Sequence, residues 1–181
     1  MQSADEKQSQ QSSIQIKGRL NMKSVMLSPK EERDTAMIVG QLFLNFGTLE
    51  FYAFLLLYEF GNPTHKERVF NMKISERIKD IEANVHNLKI SEEKRKCIVD
   101  SFKELKTLSI VRNTVAHGPY MIQGNQKGFM DVKASKGKIP GEITITTLKG
   151  LEKANKQLVN LFEKLKPIMQ ELLASKPSPS N

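Results

Sequence analysis

Residues 42–60, LFLNFGTLEFYAFLLLYEF, are the stretch on which the fold turns. Their length approaches that of a membrane span. Yet Asn45, Glu50 and Glu59 interrupt the run, and aromatic rings stand where a span would present a uniform aliphatic surface. The stretch therefore reads as a core helix with no membrane role. Upstream, Pro29 followed by Glu31 and Glu32 makes a helix start, and Gly61-Asn62-Pro63 makes a stop, so one long helix is expected over 30–60. Its second half is apolar nearly all round. Two readings of that stand: burial on several sides within one chain, or part of the face shared with a partner subunit.

Three more helices are expected from patterning. Ile74, Ile78, Ile81, Val85 and Leu88 repeat at steps of four and three, giving one apolar stripe between charged residues. Ser91 caps a third helix, with Glu92 and Glu93 at its positive dipole end and Ile98, Phe102, Leu105 and Ser109 on its inner face. Thr147 caps the last, in which Leu151, Leu158, Leu161, Leu165, Ile168 and Leu172 form the packing face, and Pro167 is expected to kink it. Between the last two lie short β-like runs, 120–123, 129–133 and 142–146, separated by Gly-bearing turns, which predict a small β-hairpin insertion over 120–147. The fold class expected is mostly α: a helical domain over 29–174 of four or more helices, with that hairpin before the last one.

The ends are polar. Residues 1–13 and 175–181 are dominated by Ser, Gln and Pro and bury too little to offset ordering entropy, so loose tails are expected. Residues 14–28 show a brief alternation at Ile14 and Ile16 that does not decide their structure. The whole 1–28 segment is read as flexible or as a docking peptide.

At 181 residues the chain has the size of one domain with a hydrophobic core. Its single cysteine, Cys97, rules out an intramolecular disulfide framework, and no apolar leader opens the sequence, so the cytoplasm is the expected compartment. His65, His86 and His117 have no metal-ligand spacing, and no HExxH or paired-carboxylate pattern is present, so no metal and no cofactor is expected. A formal net charge of +8 favours polyanionic partners, RNA among them, although much of the lysine is accounted for equally well as solvated helix surface. Lysine-rich spans 89–106 and 127–138 flank the chemical centre described next and suit an RNA backbone.

That centre is Arg112-Asn113-Thr114-Val115-Ala116-His117-Gly118. The third helix is expected to end near His117, because Gly118 can take a left-handed cap and Pro119 cannot continue the hydrogen-bond ladder. Asn113 and His117, four apart, share a face, and Arg112 lies about 100° around the helix. A helix C-terminus favours a positive charge and a nearby arginine opposes one, a setting suited to a histidine that both takes and gives a proton. Arg112 offers a planar fork matched to phosphate oxygens. The same residues, as plain caps of a helix end, would be structural.

The pattern Arg112-Asn113-x-x-x-His117 resembles the Arg-x4-6-His motif of HEPN proteins, including the polar residue that follows the arginine. At fold level the resemblance covers 30–174. It implies metal-independent endoribonuclease activity, in which the ribose 2′-hydroxyl attacks the adjacent phosphate to leave a 2′,3′-cyclic phosphate and a 5′-hydroxyl. His117 would move a proton, Arg112 would stabilise the phosphoryl charge and Asn113 would orient the site. It also implies a homodimer with a composite active site, and a place as a toxin-antitoxin or phage-defence effector with an antitoxin or other regulatory protein. For Glu50 two readings stand: a carboxylate that salt-bridges and fixes Arg112, as the resemblance suggests, or one pointing into a wet groove. Some HEPN toxins carry a modifiable tyrosine two positions after the histidine. Tyr120 stands three after, and is read instead as the first residue of a strand with its ring against the core. The alternative to an enzyme is a noncatalytic helical module that binds RNA or protein and keeps the Arg/His motif for structure.

Overall fold

The computed structural model describes residues 14–17, 27–123, 126–131 and 142–176. The expected tails at 1–13 and 177–181 lie outside them. Among the described residues are five α-helices, α1 (Pro29–Phe60), α2 (Lys66–Asn71), α3 (Ile74–Asn84), α4 (Glu92–His117) and α5 (Leu148–Ala174), and four strands, β1 (Ile14–Lys17), β2 (Tyr120–Gln123), β3 (Gln126–Met130) and β4 (Glu142–Thr147). The chain is mostly helical, as its periodicities predict. It divides into two compact units, Gly40–Arg112 with Ala154–Asn181, and Met1–Val39 with Asn113–Lys153, so α1, α4 and α5 each contribute to both.

The first unit is all-helical. Leu42, Phe46, Leu49, Ala53 and Leu56 of α1, at alternating steps of four and three, are buried with Ile78 and Ile81 of α3, Ile98, Phe102 and Leu105 of α4, and Leu158, Leu161, Leu165 and Leu172 of α5. Each helix thus buries one stripe. Ser91 caps α4 as expected, its Oγ accepting from the Lys94 amide at 3.4 Å. The second helix is shorter than its stripe predicts: α3 stops at Asn84, a 3-10 turn over Val85–Asn87 follows, and Leu88 reaches the core from beyond it. Pro167 lies within the continuous α5.

Burial all round the second half of α1 is corrected. Only 22% of its most apolar window is buried, and Leu44 (69% exposed), Phe51 (54%) and Phe43 (40%) face outward. The apolar content of 42–60 exceeds what one packing face needs, and the surplus lies outside. By length and composition alone α1 is also able to cross a membrane, its most apolar stretch of 18 residues having a mean hydropathy of 1.3.

The second unit holds the sheet. Its order is β1-β4-β3-β2, antiparallel throughout, with Ile14 opposite Ile145 and Tyr120 opposite Phe129. The expected hairpin is present as β2 and β3, and the correction is to its extent: it belongs to a four-stranded sheet that β4 and β1 complete, β1 coming from the stretch whose alternation is too brief to read. β3 also starts three residues earlier than expected, at Gln126. Among the described residues of this unit, Ile145, Leu151, Val115 and Met121 are buried and apolar. The start of α1 is a capping box. The Ser28 amide donates to Glu31 Oε2 at 3.0 Å, and the Glu31 amide donates to Ser28 Oγ at 3.3 Å. Glu31 also pairs with Lys127 of β3, and these partners hold its carboxyl at about 2, well below the usual 4.5. Thr147 Oγ1 accepts from the Gly150 amide at 3.2 Å, capping α5 as expected.

Candidate active site on helix α4

Within the helical unit, Arg112 of α4 and Glu50 of α1 are brought together, and Phe46, Phe102 and Leu105 of the same two helices are buried. Arg112 Nη2 donates to Glu50 Oε1 at 3.2 Å. The guanidinium carbon stands 5.0 Å from the centre of the Phe46 ring. Phe46 and Glu50 are one helical turn apart on α1, so a single face of that helix supplies both a ring and a carboxylate to the same cation. With the two side chains 25% and 29% exposed, the pair is partly shielded from water, and it settles Glu50 as a partner of Arg112. In sequence Phe46 looks like any other core aromatic, and its only signal is the i, i+4 relation to Glu50.

Asn113 and His117 follow on the same helix, in the unit that carries the sheet. Thr114 and Val115 are buried there, while Ala116 and His117 are exposed, so α4 ends with its histidine in solvent. Asn113 is half-buried and has an interaction partner of its own.

The end of α4 differs from the cap expected. Gly118 does not adopt a left-handed φ. Its amide donates to the Thr114 carbonyl at 2.7 Å, an unbroken helical bond. Glycine is required instead by a close approach: a Cβ at position 118 would lie 2.1 Å from the Met130 carbonyl oxygen and 2.5 Å from that of Thr114. The Met130 amide in turn donates to the Pro119 carbonyl at 3.0 Å, so β3 is fastened directly beyond His117.

Tyr120 opens β2 and meets Phe129 edge-on, with centroids 5.2 Å apart and an interplanar angle of 80°. Its hydroxyl is buried and lacks a hydrogen-bond partner. Of the remaining histidines, His86 is exposed in the turn after α3. Among the described residues no group of three or more His, Cys, Asp or Glu side chains is arranged to hold a metal ion. Of the lysine-rich spans, Lys89, Lys96, Lys103 and Lys106 are exposed, whereas Lys94 pairs with Glu171 and Lys127 with Glu31. Residues 132–138 of the second span lie outside the described residues.

No protein-family model, curated protein or solved structure matches the chain.

Proposed function

We propose that this chain is a HEPN-type, metal-independent endoribonuclease that works as a homodimer. The observation that carries the reading is the fixed cation on the motif helix: Arg112 is held by Glu50 and by the Phe46 ring, and the same helix ends in an exposed histidine. An arginine anchored at one side stabilises a phosphoryl group without first being ordered, which is where electrostatic catalysis gains most. An exposed helix end admits a substrate as large as RNA.

In the proposed reaction one His117 accepts the proton of the ribose 2′-hydroxyl as that oxygen attacks phosphorus. A second His117, from the other copy, gives a proton to the departing 5′ oxygen, so the 2′,3′-cyclic phosphate forms as the P–O5′ bond breaks. Arg112 balances charge on the non-bridging oxygens and Asn113 orients the backbone. DNA lacks the attacking hydroxyl and survives. The exposed lysines of α4 attract the RNA backbone. The setting proposed is cytoplasmic, as a toxin-antitoxin or phage-defence effector under an antitoxin or other regulatory protein.

The test is incubation of wild type and His117→Ala with mixed RNA in EDTA, with product ends assayed. Cleavage by wild type alone, leaving cyclic phosphate, supports the proposal. Cleavage by both variants refutes the role of His117. A second reading, a noncatalytic RNA- or protein-binding module, is favoured by the same ion pair taken as structural. It predicts RNA retention without cleavage in both proteins.

A further inference from the structure

The outward face of α1 within the helical unit has a relief that repeats. At ~100° per residue, Gly40, Leu44, Gly47 and Phe51 fall within an arc of about 60°. That arc lies nearly opposite the buried stripe of Leu42, Phe46, Leu49 and Ala53. Leu44 is 69% exposed and Phe51 54%, and both glycines are exposed, with nothing beyond the adjoining backbone of the helix and the chain neighbours within 4 Å of where a Cβ would stand. A bulky side chain and an open glycine thus alternate along one strip. Exposed Gln41 and Thr48 border it on one side, and Phe43 and Glu50 border it on the other. An apolar centre bordered by polar Gln41, Thr48 and Glu50, with Phe43 widening the apolar area on one side, has the anatomy of a protein interface.

We propose that this strip pairs with the same strip of a second copy, the two α1 helices running antiparallel about a two-fold axis between residues 45 and 46. What selects a second copy is register. In that arrangement Phe51 stands opposite Gly40 of the other helix, and Leu44 opposite Gly47, each contact occurring twice as an isologous interface demands. Every bulky residue meets a glycine, and the helices approach closely without a clash. The parallel in-register pairing instead sets Leu44 against Leu44 and leaves the glycines facing each other across a gap.

The pairing deepens the proposed homodimeric nuclease and rests on that reading only for its catalytic consequence. Phe43 and Glu50 flank the strip on the same side, and the two-fold keeps that side common to both copies. Phe43 of the second copy therefore packs beside Glu50, the carboxylate that holds Arg112, and shields the ion pair. The partner copy in this way contributes to positioning Arg112.

Gly47→Leu separates this proposal from a general loss of fold. In one chain the added Cβ stands in open space on an exposed face, and replacing a helical glycine raises helix stability. In the dimer it collides with Leu44. Sedimentation equilibrium of the full chain should find wild type dimeric. It should find Gly47→Leu weaker in dimerisation by about tenfold or more, with a melting temperature of the monomer equal or higher. In a Cys97→Ser background, Gly40→Cys and Phe51→Cys chains should form a disulfide only when mixed. Like positions stand about 16 Å apart along antiparallel axes at ~1.5 Å per residue, beyond disulfide reach. A monomeric wild type, a dimer indifferent to Gly47→Leu, or equal crosslinking of each variant with itself overturns the pairing. So does a monomer that floats with phospholipid vesicles, which would assign the strip to lipid. None of these readouts depends on RNA cleavage, so the pairing and the nuclease reading fail separately.

Discussion

Arg112 and Glu50 join α4 to α1 through a 3.2 Å hydrogen-bonded ion pair, and Phe46, one turn before Glu50, supports the same guanidinium with its ring. The carboxylate therefore acts on the candidate chemistry through Arg112 and is a positioning residue. Glu50→Ala should lower RNA cleavage by ~10-fold or more while costing only ~1 kcal/mol of stability, the range of a partly exposed pair. Glu50→Gln, which still accepts a hydrogen bond, should recover much of the loss. Measuring kcat, KM and urea midpoints for the three proteins decides it. If Glu50→Ala cleaves as wild type does, Arg112 needs no such anchor.

His117 lies in solvent at the end of α4, so its removal leaves packing intact. His117→Ala should shift stability by no more than ~0.5 kcal/mol, the usual effect of a surface change, yet reduce cleavage by ~10²-fold or more, the range of general acid–base catalysis. Arg112→Lys should not rescue function although it keeps the charge, because an ammonium lacks the planar fork and stacks poorly on Phe46. Single-turnover cleavage beside thermal unfolding reads both. Loss of activity in proportion to loss of fold would make the motif structural.

The helices were legible because each buries one stripe, and a stripe is a local property: Ile98, Phe102 and Leu105 announce the inner face of α4 without knowledge of what covers it. The sheet was less so. β1 pairs Ile14 with Ile145, a contact across most of the chain, and four residues of alternation cannot name such a partner. At the site, the order Arg112, Asn113, His117 was visible as spacing, and the reach of Glu50 to Arg112 was one of two open readings. Phe46 was hidden, since an aromatic residue in an apolar run reads as core whether or not a cation lies over it. Gly118 is special because β3 lies against it, and not because of its backbone conformation. A glycine demanded by a neighbouring strand and one demanded by a positive φ look identical in sequence.

Acid should reveal the Glu31–Lys127 pair. Lys127 and the Ser28 hydrogen bonds hold the Glu31 carboxyl at about 2, below its usual 4.5. A depressed folded-state value means stability that is present above the ordinary carboxylate range and lost as pH falls through the folded value. Lys127→Met should therefore unfold at lower temperature than wild type near pH 6, and the difference should shrink steadily between about pH 4.5 and pH 2. Because the pair is at the surface, added salt should shrink it as well. Melting curves across pH at low and high salt test this, and a difference that grows toward pH 2 would contradict it.

Gly118→Ala sets two effects of opposite sign against each other. Position 118 donates a helical hydrogen bond to the Thr114 carbonyl and has no left-handed φ, so alanine is conformationally welcome there and helix propensity alone would favour it by up to ~1 kcal/mol. Sterically it is not welcome. Its Cβ would stand 2.1 Å from the Met130 carbonyl oxygen and 2.5 Å from the Thr114 carbonyl oxygen, and both are main-chain atoms that cannot swing aside as a side-chain tip would. One belongs to the last turn of α4 and the other to β3, so relief requires the two to part, and the Met130 to Pro119 hydrogen bond would go with them. The clash should win, for a net loss of ~2–3 kcal/mol, as for overpacking a tight site. Urea denaturation followed by circular dichroism measures the net sign. Because β3 is fastened just beyond His117, cleavage should fall in Gly118→Ala even under conditions where it remains folded. An alanine variant as stable as wild type would mean that β3 does not press on the helix end, and the fixed seat of His117 would lose its cause.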